Sequence, residues 1–226
     1  MATRYSPKII TDSLIFCIDA ANSRCWDGTG SVTDLAAGRE GTPTNATFSS
    51  FHGGCIVFDG ADDYVSWGDI AWLDGLTVVS ASCWFRLDGD PPNSAGILIS
   101  KDNTLECVVK RSSSNEYSLS INNNHRVFAS APTPAYNEWI NVVYTWNSTG
   151  DVRKLYLNGG LTDTDTGGNQ SGNSLNNSSD GLAVGARANG NYEIDGKIAS
   201  VHVYAKALTA AEVQQNYIAG KGRFGK

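Results

Sequence analysis

The sequence predicts an all-β sandwich with one short helix near its C-terminus, and three observations carry that reading. Short apolar segments recur between turn residues, several of them alternate apolar and polar positions, and helical periodicity is nearly absent before residue 209. The 226-residue length suits one large all-β domain, because sandwiches of this size commonly close around a single core.

Strands are expected at residues 14–19, 55–58, 64–67, 78–85, 96–100 and 105–110, and further along at 117–121, 126–129, 139–146, 153–157, 182–184 and 197–204. The first is a continuous apolar run, Leu14-Ile15-Phe16-Cys17-Ile18. In Ser82-Cys83-Trp84-Phe85-Arg86 and Glu116-Tyr117-Ser118-Leu119-Ser120-Ile121 one face is apolar and the other small or polar, the period of a half-buried strand. Asp59-Gly60, Asp74-Gly75, Asp88-Gly89, Asn158-Gly159 and Asp195-Gly196 supply hairpin turn chemistry between them. Residues 161–180, a run of Thr, Asp, Gly, Asn and Ser, read as an exposed loop with little core, with strand pairing within it left open. The helix begins at Thr209-Ala210-Ala211-Glu212, a capping box in which hydroxyl and carboxylate exchange bonds with each other's amides. Val213 and Tyr217 then share its buried side, and Gly220 is expected to close it.

Composition excludes some functions. A formal net charge of -6, with no Lys/Arg cluster to reverse it locally, disfavours nucleic acid. No stretch reaches the roughly 18 continuous apolar residues of a membrane helix. Arg4 and Lys8 are followed only by Ile9-Ile10 before Thr11-Asp12, so a cleaved export signal is not expected. Cys17, Cys25, Cys55, Cys83 and Cys107 are odd in number and fit no zinc or CxxC spacing. They read as buried free thiols, consistent with folding in a reducing cytoplasm.

Taken in order, the segments resemble the laminin-G-like family of concanavalin-A-like lectin jelly rolls. Ser13-Leu14-Ile15-Phe16-Cys17-Ile18-Asp19-Ala20-Ala21-Asn22 is similar to that family's opening strand, and Phe58-Asp59-Gly60-Ala61-Asp62-Asp63-Tyr64-Val65 to its most specific hairpin. Residues 77–85, Ile97-Leu98-Ile99-Ser100-Lys101, residues 139–146, Leu155-Tyr156-Leu157-Asn158-Gly159, Leu182-Ala183-Val184-Gly185, Asp195-Gly196-Lys197-Ile198-Ala199 and residues 207–213 continue the series. The resemblance implies a jelly-roll β-sandwich over residues 13–220, preceded by an extended attachment segment, 1–12, and followed by a tail, 221–226. Residues 1–12 also resemble the start of small virion proteins of tailed phages of marine bacteria. That implies a capsid-decoration, tail or fibre-associated protein on the virion surface, made in the host cytoplasm, with other virion proteins as partners, host surface polysaccharide as a further contact and self-association into a homo-oligomer.

Some members of the superfamily hydrolyse β-glucans with three carboxylates alternating along one strand. Here Glu193 and Asp195 share a face, but Lys197 and Ile198 stand where the third is needed, and Asp195 also serves as the turn residue before Gly196. His52, His125 and His202 lie near no nucleophile signature; His125 reads as a loop residue, and His202, between Val201 and Val203, as pointing outward from a strand. No enzymatic activity is expected.

Calcium is the candidate cofactor, because Asp59, Asp62 and Asp63 gather oxygens around one hairpin and Asp102-Asn103 follows another strand. The first group reads equally as a carboxylate-stabilised turn; the second, with Glu116-Tyr117-Ser118-Leu119 after it, resembles the Asp-Asn pair of pentraxin calcium loops. For glycan or partner binding, Trp67, Trp72, Tyr136 and Tyr192 are the candidate aromatic platforms, while Trp84, Trp139 and Trp146 read as core and Trp67 is open to the same reading. Two functions are therefore carried forward: a phage display protein with a lectin-like domain, and a carbohydrate-binding module or accessory domain of a secreted polysaccharide-active protein.

Overall fold

The computed structural model describes residues 7–92, 95–111 and 114–226, the side chains of residues 110–111 and 114–115 excepted. Among the described residues the chain forms β1 (Leu14–Asp19), β2 (Val32–Thr33), β3 (Glu40–Thr44), β4 (Thr47–Ser49), β5 (Cys55–Asp59) and β6 (Tyr64–Asp69). It continues through β7 (Val78–Leu87), β8 (Ala95–Lys101), β9 (Leu105–Arg111), β10 (Ser114–Ile121) and β11 (Asn124–Val127). The last strands are β12 (Ile140–Asn147), β13 (Val152–Leu157), β14 (Gly160–Asp165), β15 (Gly181–Val184) and β16 (Asp195–Tyr204), before the helix α1 (Ala210–Lys221).

Two eight-stranded antiparallel sheets result. The first runs β14-β13-β12-β7-β16-β5-β4, and the second β11-β10-β9-β8-β15-β6-β3-β2. The long strand β16 pairs β7 on one side; on the other, its first half pairs β5 and its second half pairs β1. Alternate side chains from the facing surfaces build one core, with Phe16, Ile18, Phe85, Tyr144, Trp146 and Val201 on the first sheet meeting Leu98, Cys107, Val109, Leu119, Leu182 and Val184 on the second. Each large apolar side chain so buried stabilises the fold by roughly 1.5–3 kcal/mol. The layout is the sheet-on-sheet sandwich that the alternation predicts.

Two glycines are needed where aromatic rings press on backbone. A Cβ at Gly185, where φ is +89°, would lie 2.2 Å from the Phe58 ring, and one at Gly41 would lie 2.4 Å from Trp67.

The outer face of the first sheet is covered. Trp84 stacks on Phe224 at 4.2 Å and on Tyr217 at 5.7 Å, so the helix and the turn after it close this side. Thr209 and Glu212 form the expected capping box. The helix does not stop at Gly220 as the sequence suggested. It runs on to Lys221, and Gly220 instead lets it pass Trp84, whose Nε1 would be 2.9 Å from an added Cβ. Residues 222–224 continue as a 3-10 turn that carries the buried Phe224.

Other differences follow from edge positions. Strands β2, β3, β4 and β14 are short or polar, and pattern alone passes over them. The stretch expected to be a loop from 161 contributes most of β14, and Leu175 further along it is fully buried. The strand expected at 126–129 lies at Asn124–Val127, which puts His125 in a strand rather than a loop.

Candidate functional site

The outer face of the second sheet is the open one, and its centre is a pocket. Ala95 and Ile97 of β8 and Val108 of β9 form an apolar floor, with Tyr192 packed against it. Tyr192 belongs to the connection between β15 and β16 and takes a left-handed φ of +64°. Its carbonyl accepts the Ile97 amide at 3.0 Å, which fastens this connection to β8. A bulky residue held at positive φ is sparsely populated backbone, kept only where the surroundings fix it.

Arg187, from the same connection, reaches across the floor. Its guanidinium lies 4.6 Å from the Tyr192 ring centroid and grips Glu106 with both arms, at 2.7 and 3.1 Å. Glu106 also accepts the Ser100 hydroxyl at 3.2 Å, and the third Arg187 nitrogen lies 3.4 Å from Asp102. Burial opposes the Arg187 charge, but the Glu106 carboxylate outweighs it and holds the guanidinium above its ordinary pKa. His125 completes the wall. The pocket is open to the sheet face and holds about 70 Å³.

Of the four aromatic residues singled out in the sequence, only Tyr192 lines this pocket. Trp67 is 9% exposed and packs edge-on to Phe16 at 4.8 Å, inside the core. Trp72 is half-buried, stacked on Phe16 at 5.9 Å under the Arg39 guanidinium. Tyr136 is 41% exposed, with its hydroxyl bonded to Asp90, beside Leu87 of the first sheet.

The acidic residues fall into two places. Asp59, Asp62 and Asp63 bring one oxygen each within 4.8 Å of the others. Asp63 accepts the Asp59 amide at 2.7 Å and Asp59 accepts the Ala61 amide at 2.9 Å, the bonds of a carboxylate-stabilised turn. Burial, with Asp59 and Asp62 adding to it, raises the Asp63 pKa. Asp102 and Asn103 lie elsewhere: Asp102 faces Arg187, and Asn103 donates to Asp180 at 2.8 Å.

Glu193 is buried and Asp195 partly exposed at the start of β16, while Lys197 binds Asp88. Sequence reasoning missed Arg187 and Glu106. Glu106 stands at an outward position of an alternating strand, Leu105-Glu106-Cys107, but nothing in the sequence links it to an arginine 81 residues away.

A two-sheet antiparallel jelly roll, one outer face sealed by a helix and the other bearing an aromatic, charge-lined pocket, has the architecture of a lectin-like domain. The chain belongs to the laminin G 3 family of the concanavalin A-like lectin/glucanases superfamily, whose model matches residues 59–214. No curated protein sequence matches it.

Among solved structures it is similar to domain 4 of an extracellular arabinanase from Geobacillus stearothermophilus, solved in complex with arabinotriose. The TM-score is 0.69 at 14% identity, over 91% of this chain and 98% of that one. It is similar too to the ligand-binding domain of botulinum neurotoxin serotype D in complex with N-acetylneuraminic acid, with a TM-score of 0.65 and 17% identity. That match covers 92% of this chain but 51% of the toxin domain. A heptameric pentraxin from Limulus polyphemus aligns over 63% of this chain and 70% of its own, with a TM-score of 0.53 and 15% identity.

Proposed function

We propose that this chain is a non-catalytic glycan-binding domain that takes its ligand on the outer face of the second sheet, at Tyr192. The observation that carries this reading is the grouping of Tyr192, Arg187 and Glu106 over an apolar floor. A sugar presents an apolar C–H face, which an aromatic ring covers, and Arg187, held by Glu106, fixes the Tyr192 ring in place for it. The arabinanase domain and the toxin domain, each solved in complex with a saccharide, support the ligand class by analogy of fold.

The absence of catalysis is part of the proposal. Glu106 is committed to Arg187 and Ser100, and Lys197 occupies the alternating position after Glu193 and Asp195. Retaining and inverting glycosidases need two carboxyl groups flanking one bond, one free to protonate and the other to attack or activate water. Calcium at Asp59, Asp62 and Asp63, or at Asp102 and Asn103, is a further part of it, as is display on a phage particle, which rests on the resemblance of residues 1–12 to virion proteins.

A glycan array run with and without calcium tests the reading. Binding to a defined group of saccharides is expected, and a signal abolished by chelator would assign the metal. Failure to bind any saccharide would remove the glycan function, and turnover of a β-glucan would contradict the non-catalytic part. Mass spectrometry of purified virions that never detects the chain would refute display.

A further inference from the structure

The helix-covered face of the first sheet carries a second pocket, separate from the Tyr192 site. It encloses about 330 Å³ between β1, the Ser200–His202 part of β16, residue Ile9, and the end of α1 with the turn that follows. Cys17 and His202 stand directly opposite one another in the β1–β16 register, and Asp19 stands opposite Ser200. All four therefore project from the same face, away from the core that Val201 and Val203 enter. Ala219 and Gly220 on the helix above are small, which leaves the space open where larger residues would fill it.

His202 is the informative residue. It is 9% exposed and lines this pocket, yet its ring forms no hydrogen bond among the described residues. Its ring lies beside that of Tyr204, at 6.4 Å between centroids. With no protein hydrogen bond among the described residues, its ring nitrogens open onto the pocket, where a ligand's hydroxyl can take the place of solvent.

The charged groups nearby are already used. Asp19 pairs with Arg223 at 2.6 Å, and Arg223 spends its remaining nitrogens on the carbonyls of His52 and Gly54. Asn216 is held between the Ile10 amide and the Tyr204 hydroxyl. Among the described lining residues no charge is left over to neutralise an ionic ligand, while Trp84, Phe224 and Leu35 offer apolar walls.

We infer that this pocket binds a small, uncharged, ring-bearing molecule with one hydroxyl, whose hydroxyl pairs with His202 while the ring packs against Trp84 and Phe224. Burial holds the imidazole neutral, so one ring nitrogen accepts and the other donates, and a hydroxyl can meet either. The volume falls at the lower end of the range for ligand pockets and exceeds the roughly 150 Å³ cavity that admits benzene.

The test titrates the full chain with p-cresol, and with toluene as the matched probe lacking the hydroxyl, read by amide chemical shifts and the Trp84 indole signal. Saturable p-cresol binding is expected, with shifts at Ile9, Ala219 and Trp84. It should weaken about tenfold for toluene and about tenfold in His202→Leu, which should no longer distinguish the two probes. Ala219→Phe, which fills the pocket from the helix and leaves the His202 side chain in place, should abolish both. The inference is overturned if p-cresol does not saturate, if His202→Leu binds it as well as wild type does, or if Ala219→Phe still binds. None of these outcomes bears on Tyr192, which lies on the other sheet.

Discussion

His202 also sets a pH dependence that can be worked out from its surroundings. Burial lowers its pKa from the ordinary 6.5 to about 4, against a weaker upward pull from Asp19. Among the described residues Cys17 and Asp19 on β1, Tyr204 on β16 and Arg223 after the helix are the titratable and charged groups around it; burial pushes the Cys17 thiol up to about 12 and raises the Tyr204 hydroxyl too, so both stay protonated. Between these values the unfolded chain binds a proton that the native state excludes. This contribution to stability is intact above about pH 6.5 and lost as pH falls toward 4, at up to about 1.4 kcal/mol per pH unit. Urea unfolding of wild type and His202→Leu at pH 7, 5.5 and 4.5 should show the variant losing less stability over that interval; parallel losses would show that His202 does not titrate as described. The outward direction of His202 was legible in Val201-His202-Val203, but its burial was not. Alternation separates the two faces of a strand without showing whether another element covers the outer one. Lys101 was hidden for a different reason: it lies on the core side of β8, level with Leu105 and Leu182, fully buried, with its ammonium donating to the Ile70 carbonyl at 2.6 Å and to Asp74 at 2.7 Å.

At the scale of elements, the long polar stretch after β13 is the part the sequence described least well, and one buried ion pair explains its order. Asp151 and Arg153 are both fully buried. Asp151 accepts from the Trp146 indole at 2.8 Å, from Arg153 at 3.0 Å and from the Gln170 amide at 3.1 Å, while Arg153 also donates to the carbonyls of Leu119 and Asn124. The carboxylate thus ties the segment around Gln170 to both sheets, and Leu175 drops into the core behind it. Burial alone would raise the Asp151 pKa; the bonds from Arg153, Trp146 and Gln170 outweigh it and lower the pKa, so the pair stabilises the fold above the unfolded carboxylate's pKa and less as pH falls. Removing one partner of a buried pair strands the other charge, so Asp151→Ala should cost about 3–5 kcal/mol in denaturant unfolding at neutral pH. A loss under 1 kcal/mol would mean that the pair does not hold the segment. The strands that were legible, such as Leu14–Asp19, are rich in β-branched and aromatic residues, whereas Gly160–Asp165 is an edge strand reading Gly-Leu-Thr-Asp-Thr-Asp. Edge strands avoid long apolar patterns, and that removes the signal by which a sequence announces them.

For the whole molecule, the division of its two outer faces gives the fold its functional sense: a helix, an N-terminal segment and a terminal aromatic turn close one, and the other stays open around Tyr192. The jelly roll was legible from the order of its landmarks, with the Phe58–Val65 hairpin foremost. The pocket was legible only in Tyr192, because its charged half is assembled from strands distant in sequence. All five cysteines are buried and free, as their spacing suggested, and burial pushes Cys25 up to about 11 and Cys17 to about 12. A thiol reagent at neutral pH should therefore label none of them rapidly in the native protein and all five in denaturant; prompt labelling of the native chain would mean that the sandwich opens.

The most direct measurement is a calorimetric titration with the saccharide that the glycan array ranks highest, on wild type and Tyr192→Ala, with circular dichroism to confirm that both are folded. The expected result is saturable binding by wild type and a loss of at least tenfold in affinity in Tyr192→Ala at unchanged fold. Equal affinity in the two proteins would place the sugar elsewhere on the molecule and contradict the assignment of the open face.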